Sequence, residues 1–204
     1  MACLGDSNTT GSGLGQDSYP QQLQVKLNTR KEQISLSRRT SADFCVRAFG
    51  RSGARAGPGN IQYHEQNVFS KALTWQARIY VVMLGTNDAH QANGQCEKVE
   101  SSLETLINKI NAKVENTQVI LVLPPGKNSQ RCIQNMEKIV HPSIHSLGKR
   151  MKVTVVDPKV NNSKVERGGV DRYLKDDKIH LNKGGASKVA RRVSDVIFQI
   201  VSVV

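Results

Sequence analysis

Cys3-Leu4-Gly5-Asp6-Ser7-Asn8-Thr9 is the stretch on which the reading of this chain turns. Short apolar residues run into Gly-Asp-Ser, and a loop rich in Gly, Ser and Thr follows. That order describes a brief buried strand ending in a tight turn, with Ser7 presented at its C-terminal tip. In open α/β sheets the strand tips are where ligands sit. A serine there becomes a nucleophile only where a histidine, a group that orients it and oxyanion donors converge on it. The rest of the chain is read for those partners.

Tyr19-Pro20 introduces a segment in which Leu23 and Leu27 stand four apart, the spacing of a short amphipathic helix. Residues 28–43 are polar and basic around an isolated Ile34-Ser35-Leu36, and read as a surface excursion with at most a minor strand. The next predicted strand is 44–48, which runs into the small-residue turn from Phe49 to Arg55. A Gly/Pro-containing connection and a short helix fill 56–74. The apolar run 79–84 has the signature of a strand buried on both faces, and it ends in Gly85-Thr86-Asn87-Asp88. Val99, Leu103, Leu106, Ile107, Ile110 and Val114 mark one face of a helix of about four turns.

A further buried strand, 119–123, is stopped by Pro124-Pro125-Gly126. Ile133, Met136, Val140, Ile144 and Leu147 give a second helical stripe, which Pro142 should kink or divide. The last strand, 153–156, closes at Asp157-Pro158, and a polar loop over 159–179 leads to His180. Lys183-Gly184-Gly185 opens a final helix with Val189, Val193, Val196, Ile197 and Ile200 on its buried side. Alternating strands and helices mean a parallel sheet with helices on both faces. No repeat, low-complexity tract or linker divides the chain, which reads as a single domain over 1–204.

A length of 204 residues suits one well-buried core. No run reaches the length of a membrane-spanning helix, and no secretion leader is visible. The very short first strand is equally compatible with a protein that continues upstream of Met1, so localisation stays undetermined. Cys3, Cys45, Cys96 and Cys132 form no CxxC pair and no zinc-like spacing. Cys3 and Cys45 read as small buried thiols in strands, and a Cys96–Cys132 bridge is left open. The net charge of +12 would attract nucleic acid, anionic surfaces or acidic substrates. Its basic residues stand in small clusters without interleaved aromatics, at Arg30-Lys31, Arg38-Arg39, Lys149-Arg150 with Lys152, and Arg191-Arg192. A generally basic solvated surface accounts for them.

Three strand ends thus carry suggestive loops, around Ser7, Gly53 and Asn87, and a late loop supplies Asp177-Lys178-Ile179-His180. Alone, Gly53 reads as a turn residue and Asn87 as the cap of the next helix. In this order, the blocks resemble those of the SGNH hydrolases, the GDSL esterase/lipase superfamily. Gly5-Asp6-Ser7-Asn8-Thr9, Ser52-Gly53, Gly85-Thr86-Asn87-Asp88 and the Asp177-to-His180 pair match its four blocks. Leu181-Asn182, Gly184-Gly185, Tyr19-Pro20 and Pro124-Pro125 also resemble it, so the likeness spans almost the whole chain.

The resemblance implies a flavodoxin-like three-layer α/β/α sandwich with a parallel sheet of about five strands. It makes Ser7 the nucleophile, His180 the general base and Asp177 the residue that orients it, with Asp176 as the nearby competitor. The oxyanion hole would comprise the backbone N–H groups of Ser7 and Gly53 and the side-chain amide of Asn87. Glycine suits the second position because the backbone must approach the substrate without a Cβ in the way. The second block departs from the pattern with Ala54-Arg55 after its glycine; Arg51 and Arg55 flank the loop, as readers of an anionic substrate or simply as solvated side chains. His64, His90, His141 and His145 have no place in the pattern, although His90 is near Asn87 in sequence.

The activity implied is hydrolysis of small or medium acyl esters through an acyl-serine intermediate, with no cofactor and no metal. Aryl esters, acetylated sugars and lipid esters are all candidate substrates, and acyl transfer to another alcohol would use the same residues. A histidine base implies a rate that falls as the pH drops through the imidazole range, near 6.5 when unperturbed. The alternative is an RNA- or anionic-surface-binding module on the same scaffold, since fold does not fix function. Scattered basic residues would make such binding weak, sequence-tolerant and steeply salt-dependent.

Overall fold

Five strands, β1 (Ala2–Gly5), β2 (Arg47–Gly50), β3 (Ile79–Met83), β4 (Gln118–Val122) and β5 (Thr154–Val156), pair in parallel in the order β2-β1-β3-β4-β5. Between and after them run α1 (Ser7–Thr10), α2 (Tyr19–Ser35), α3 (Asn67–Thr74), α4 (Thr86–Ala89), α5 (Val99–Lys113), α6 (Gln130–Asn135), α7 (His141–Met151) and α8 (Lys183–Ser202). This is a computed structural model, and it describes residues 1–35, 44–90, 95–126, 129–160 and 172–202.

The period-two alternation of a strand buried on both faces sorts the sheet's side chains into two cores. Cys3, Val81, Met83, Ile120 and Val122 face one way, under Leu23 and Leu27 of α2 and Val189, Val193 and Ile197 of α8. Leu4, Tyr80, Val82 and Leu121 face the other way, against Phe69 of α3, Leu103 and Ile110 of α5, and Ile144 and Leu147 of α7. The result is the expected flavodoxin-like three-layer α/β/α sandwich. The order of the strands reverses at β1, which has β2 on one side and β3 on the other. Such a switch point opens a crevice beyond the strands' C-terminal ends. Ser7 stands there, two residues past Gly5.

Several local expectations are corrected. The second strand is not 44–48 but Arg47–Gly50, because the register sets Ala2 opposite Arg47 and Gly5 opposite Gly50. Phe49 is therefore a buried strand residue rather than part of a turn. Phe44 instead packs edge-on against Phe198 of α8, with ring centroids 5.8 Å apart. Cys45 precedes the strand and is exposed. Cys96 and Cys132 are buried free thiols and form no bridge. The polar segment expected from residue 28 is helical as far as Ser35; its remainder, 36–43, lies outside the described residues, as do 161–171 of the loop before His180. The second helical stripe is divided just before Pro142, in line with the expectation: a π-turn over Met136–Val140 separates α6 from α7, and the proline stands in the first turn of α7.

Candidate active site

The turn that carries Ser7 is built by capping. Asp6 precedes α1 and accepts the Asn8 N–H on Oδ1 at 2.9 Å, while its carbonyl takes the N–H groups of Thr9 and Thr10. Ser7 is thus the first residue of a four-residue helix, and its own N–H belongs to the set that a helix start leaves without an intrahelical acceptor. Asp6, Ser7, Asn8 and Thr9 are all buried. Burial pushes the Asp6 carboxyl up to about 6 against the pull of the Asn8 N–H.

Across the crevice, the loop after β2 turns sharply at residues 51–54, closed by the Ala54 N–H on the Arg51 carbonyl at 3.0 Å. Gly53 has φ +76°, the conformation that the third residue of a type II turn requires. The closing bond does not use the Gly53 N–H. From the end of β3, Gly85 enters α4 with φ +124°, and a Cβ there would sit 2.7 Å from Val140 and 3.0 Å from the Pro124 ring. That sharp entry delivers Asn87, whose Nδ2 donates to the Ala54 carbonyl at 2.8 Å and approaches Asp6 Oδ2 at 3.5 Å. Gly85 holds the N-cap position of α4, so Asn87 is not the helix cap. Its neighbour Asp88 is buried and accepts the N–H groups of Ala56 and Gly57 at 3.0 and 2.7 Å, tying the two loops together. Burial raises the Asp88 pKa against those two donors.

The histidine arrives on a short hairpin in which Leu174 bridges Leu181. His180 Nε2 lies 2.9 Å from Ser7 Oγ, and Nδ1 lies 2.6 Å from Asp177 Oδ2. The other Asp177 oxygen accepts the N–H groups of Ile179 and His180 at 2.8 and 2.9 Å. Burial alone would push the Asp177 carboxyl up, but these bonds to His180 and Ile179 outweigh it and hold the group below the usual carboxylate range. An ionised carboxylate only accepts, so Nδ1 carries the proton and Nε2 is left to accept from the Ser7 hydroxyl. Asp176, the competitor in sequence, is exposed and makes no bond to the ring among the described residues.

The structure therefore brings Ser7, His180 and Asp177 into one hydrogen-bonded chain, with Gly53 in the turn after β2 and Asn87 in α4 beside it. Arg51 is exposed, whereas the Arg55 guanidinium lies against Gly59 and its charge acts on Asp88. His90 and His141 are held by the carbonyls of Thr86 and Pro124 at 2.6 and 3.1 Å, and His145 is exposed on α7. None of the hydrogen bonds described at Ser7 involves them or His64. Sequence reasoning gave no role to Asp6, Asn8 and Asp88, although each stands inside a matched block. A short polar side chain placed one residue either side of the functional one was the available signal. Among the described residues, no cluster of His, Cys, Asp and Glu could hold a metal ion, and no helix is long and apolar enough to cross a membrane.

The sequence model of the GDSL-like lipase/acylhydrolase family matches residues 3–188. Among solved structures, a protein assigned as a GDSL-like lipase from Parabacteroides merdae is similar at TM-score 0.72 and 20% identity, over 95% of this chain and 93% of that one. A carbohydrate acetylesterase from Sinorhizobium meliloti is similar at TM-score 0.63 and 14% identity, over 98% of both chains. An acetylxylan esterase from Geobacillus stearothermophilus, solved as a catalytic mutant, is similar at TM-score 0.66 and 16% identity, over 94% and 90%. At these identities the likeness is one of fold. No curated protein sequence matches the chain.

Proposed function

The chain belongs to the GDSL-like lipase/acylhydrolase family, as a carboxylic ester hydrolase of that type, and from that premise we propose that it cleaves small or medium acyl esters through an acyl-serine intermediate on Ser7. The observation that carries this reading is the unbroken chain from Ser7 Oγ through His180 to Asp177, at 2.9 and 2.6 Å.

In the proposed reaction, His180 Nε2 takes the Ser7 proton as Oγ attacks the ester carbonyl. Negative charge then develops on the former carbonyl oxygen, where the N–H groups of Ser7 and Gly53 and the amide of Asn87 receive it. The intermediate collapses, and His180 returns the proton to the departing alcohol. Water, deprotonated by the same nitrogen, attacks the acyl-serine and releases the acid with Ser7 restored. Asp177 keeps the imidazole in the required tautomer and stabilises the imidazolium.

The names of the carbohydrate-active neighbours make acetylated sugars the first substrates to assay, beside aryl and lipid esters. The test is hydrolysis of a chromogenic acetyl ester together with intact mass after brief mixing. Wild type should gain one acyl group, and Ser7→Ala should gain none and turn over negligibly. A Ser7→Ala enzyme of wild-type rate would sink the reading.

The RNA- or anionic-surface-binding alternative has no comparable support. Arg150 is held by Glu100 and Glu104, and Arg30 by Asp195 and the Phe198 ring; Arg38 and Arg39 lie outside the described residues.

A further inference from the structure

We infer that Asn8 is a positioning residue for the reaction, holding the histidine loop against the nucleophile; this rests on the roles proposed above for Ser7 and His180. Asn8 is 3% exposed, and its backbone is fixed by Asp6. From that anchored position its side chain brackets His180. Oδ1 accepts the N–H of Leu181 at 2.8 Å, and Nδ2 donates to the carbonyl of Ile179 at 3.4 Å. One amide, offering an acceptor and a donor in fixed relation, thus grips both chain neighbours of the general base.

Other ties hold the loop at more distant points. Lys175 Nζ bonds the Ser12 carbonyl, and Leu174 and Leu181 are buried in the core under α8. Among the described residues, no other side chain from outside the loop bonds the backbone of 179 or 181. Asn8 is also the residue directly after Ser7. The nucleophile and the grip on its base are therefore set by one turn.

The Asp177–His180 pair lies wholly within the loop, and Asp177 also binds the backbone N–H groups of 179 and 180. Loss of the Asn8 amide should leave that pair intact and displace it as a unit from Ser7. A misplacement of about 1 Å costs on the order of 10²-fold in rate. The expected signature is a lower kcat with the base's own chemistry unchanged.

The experiment compares Asn8→Leu, similar in volume but without hydrogen bonds, with Asn8→Ala and Asn8→Asp. Rates are expressed per active site titrated to completion with a fluorophosphonate, so unfolded protein does not count. Asn8→Leu should lower kcat about 10²-fold with KM within about threefold, and slow fluorophosphonate labelling in parallel. The acid limb of its pH–rate profile and the low-field proton resonance of the His180 Nδ1–H should stay in place. Asn8→Asp keeps an acceptor for Leu181 and should recover part of the loss. Asn8→Ala serves the same purpose if the leucine variant does not fold. Wild-type kcat per site in Asn8→Leu or Asn8→Ala overturns the inference. So does a raised KM at unchanged kcat, which would mark a substrate contact, or a lost low-field resonance, which would mark an effect on the pair itself. Ser7→Ala run in parallel separates the two levels. If it is inactive while Asn8→Leu is fully active, only the Asn8 role fails; if it is active, the reading beneath fails as well.

Discussion

Ser7 and His180 meet at 2.9 Å but arrive from unlike surroundings. Ser7 follows a central strand with neighbours on both sides, and the turn from Asp6 to Thr9 is buried throughout. The side chains of His180 and Asp177 are 26% and 42% exposed, on a hairpin held by a single bridge and a few backbone bonds. Ser7 is held by the sheet that precedes it. His180 is held by Asp177 within its own loop and, through the backbone on either side of it, by Asn8 across to the turn. Changes on the first side should therefore touch stability and rate together, whereas changes on the second should touch rate first.

The largest effects test the chemistry on each side. Ser7→Ala should lower kcat by on the order of 10⁴–10⁶ and abolish fluorophosphonate labelling, because the acylated atom is gone. His180→Ala should lose a comparable factor yet label slowly, because the nucleophile persists without its base. Equal, fast labelling of His180→Ala and wild type would separate His180 from Ser7 activation.

Asn87 tests the oxyanion side. Removing one such donor costs roughly 10²–10³ in turnover, so Asn87→Ala should lose that factor in kcat with little change in KM and with slow labelling retained. Its amide also holds the Ala54 carbonyl at 2.8 Å, so some stability, about 1 kcal/mol, should go with it. A less stable Asn87→Ala enzyme with undiminished kcat per folded molecule would remove Asn87 from the site.

Asp6 makes the buried side's cost visible as a pH dependence. Burial lifts its pKa from 3.8 to about 6, so between those values the unfolded chain releases the proton while the folded protein keeps it. Stability from this group is complete below the lower value and is lost as pH rises through the upper one, by about 3 kcal/mol. Asp6→Asn keeps an acceptor for the Asn8 N–H and does not titrate. Its stability relative to wild type should improve by up to that amount between pH 4 and pH 7.5, read from urea midpoints. A difference independent of pH would show that the buried charge is not what the wild type carries there.

The same contrast explains what the sequence revealed. Ser7, Gly53 and Asn87 were legible as candidates because each lies just past the end of a strand, where a short motif marks a turn of the backbone, and His180 was legible from its spacing to Asp177. The alternation of apolar runs gave the layers for the same reason. Strand β2 was misplaced because Phe44, Cys45 and Val46 have the composition of a strand, and only the register against Ala2 shows that the ladder covers Arg47–Gly50. Pro142 marked the division of the second helical stripe, but the π-turn that makes the division leaves no local mark of its own. Asp6, Asn8 and Asp88 act through partners far away in the chain, at Asn87, Leu181 and Ala56, and no spacing reports those contacts.

The smallest effect bears on what holds the histidine side. Lys183, three residues beyond His180, pairs with Asp17 at 3.2 Å, which ties the start of α8 to the short turn before α2. Both side chains are well exposed, at 74% and 44%, and exposed pairs contribute about 0–1 kcal/mol. Asp17→Asn should therefore shift the melting temperature by a few degrees at most, less so in high salt, and leave kcat and KM at wild-type values. If the loop depended on a string of surface tethers, this change would instead lower kcat in the manner expected of Asn8→Leu, and the loss would be reproduced in wild type by added salt. Measuring both variants across a salt series distinguishes the two. A salt-sensitive loss in Asp17→Asn would mean that the base is placed by solvent-screened charge, whereas a salt-insensitive loss confined to Asn8→Leu places it on one buried amide.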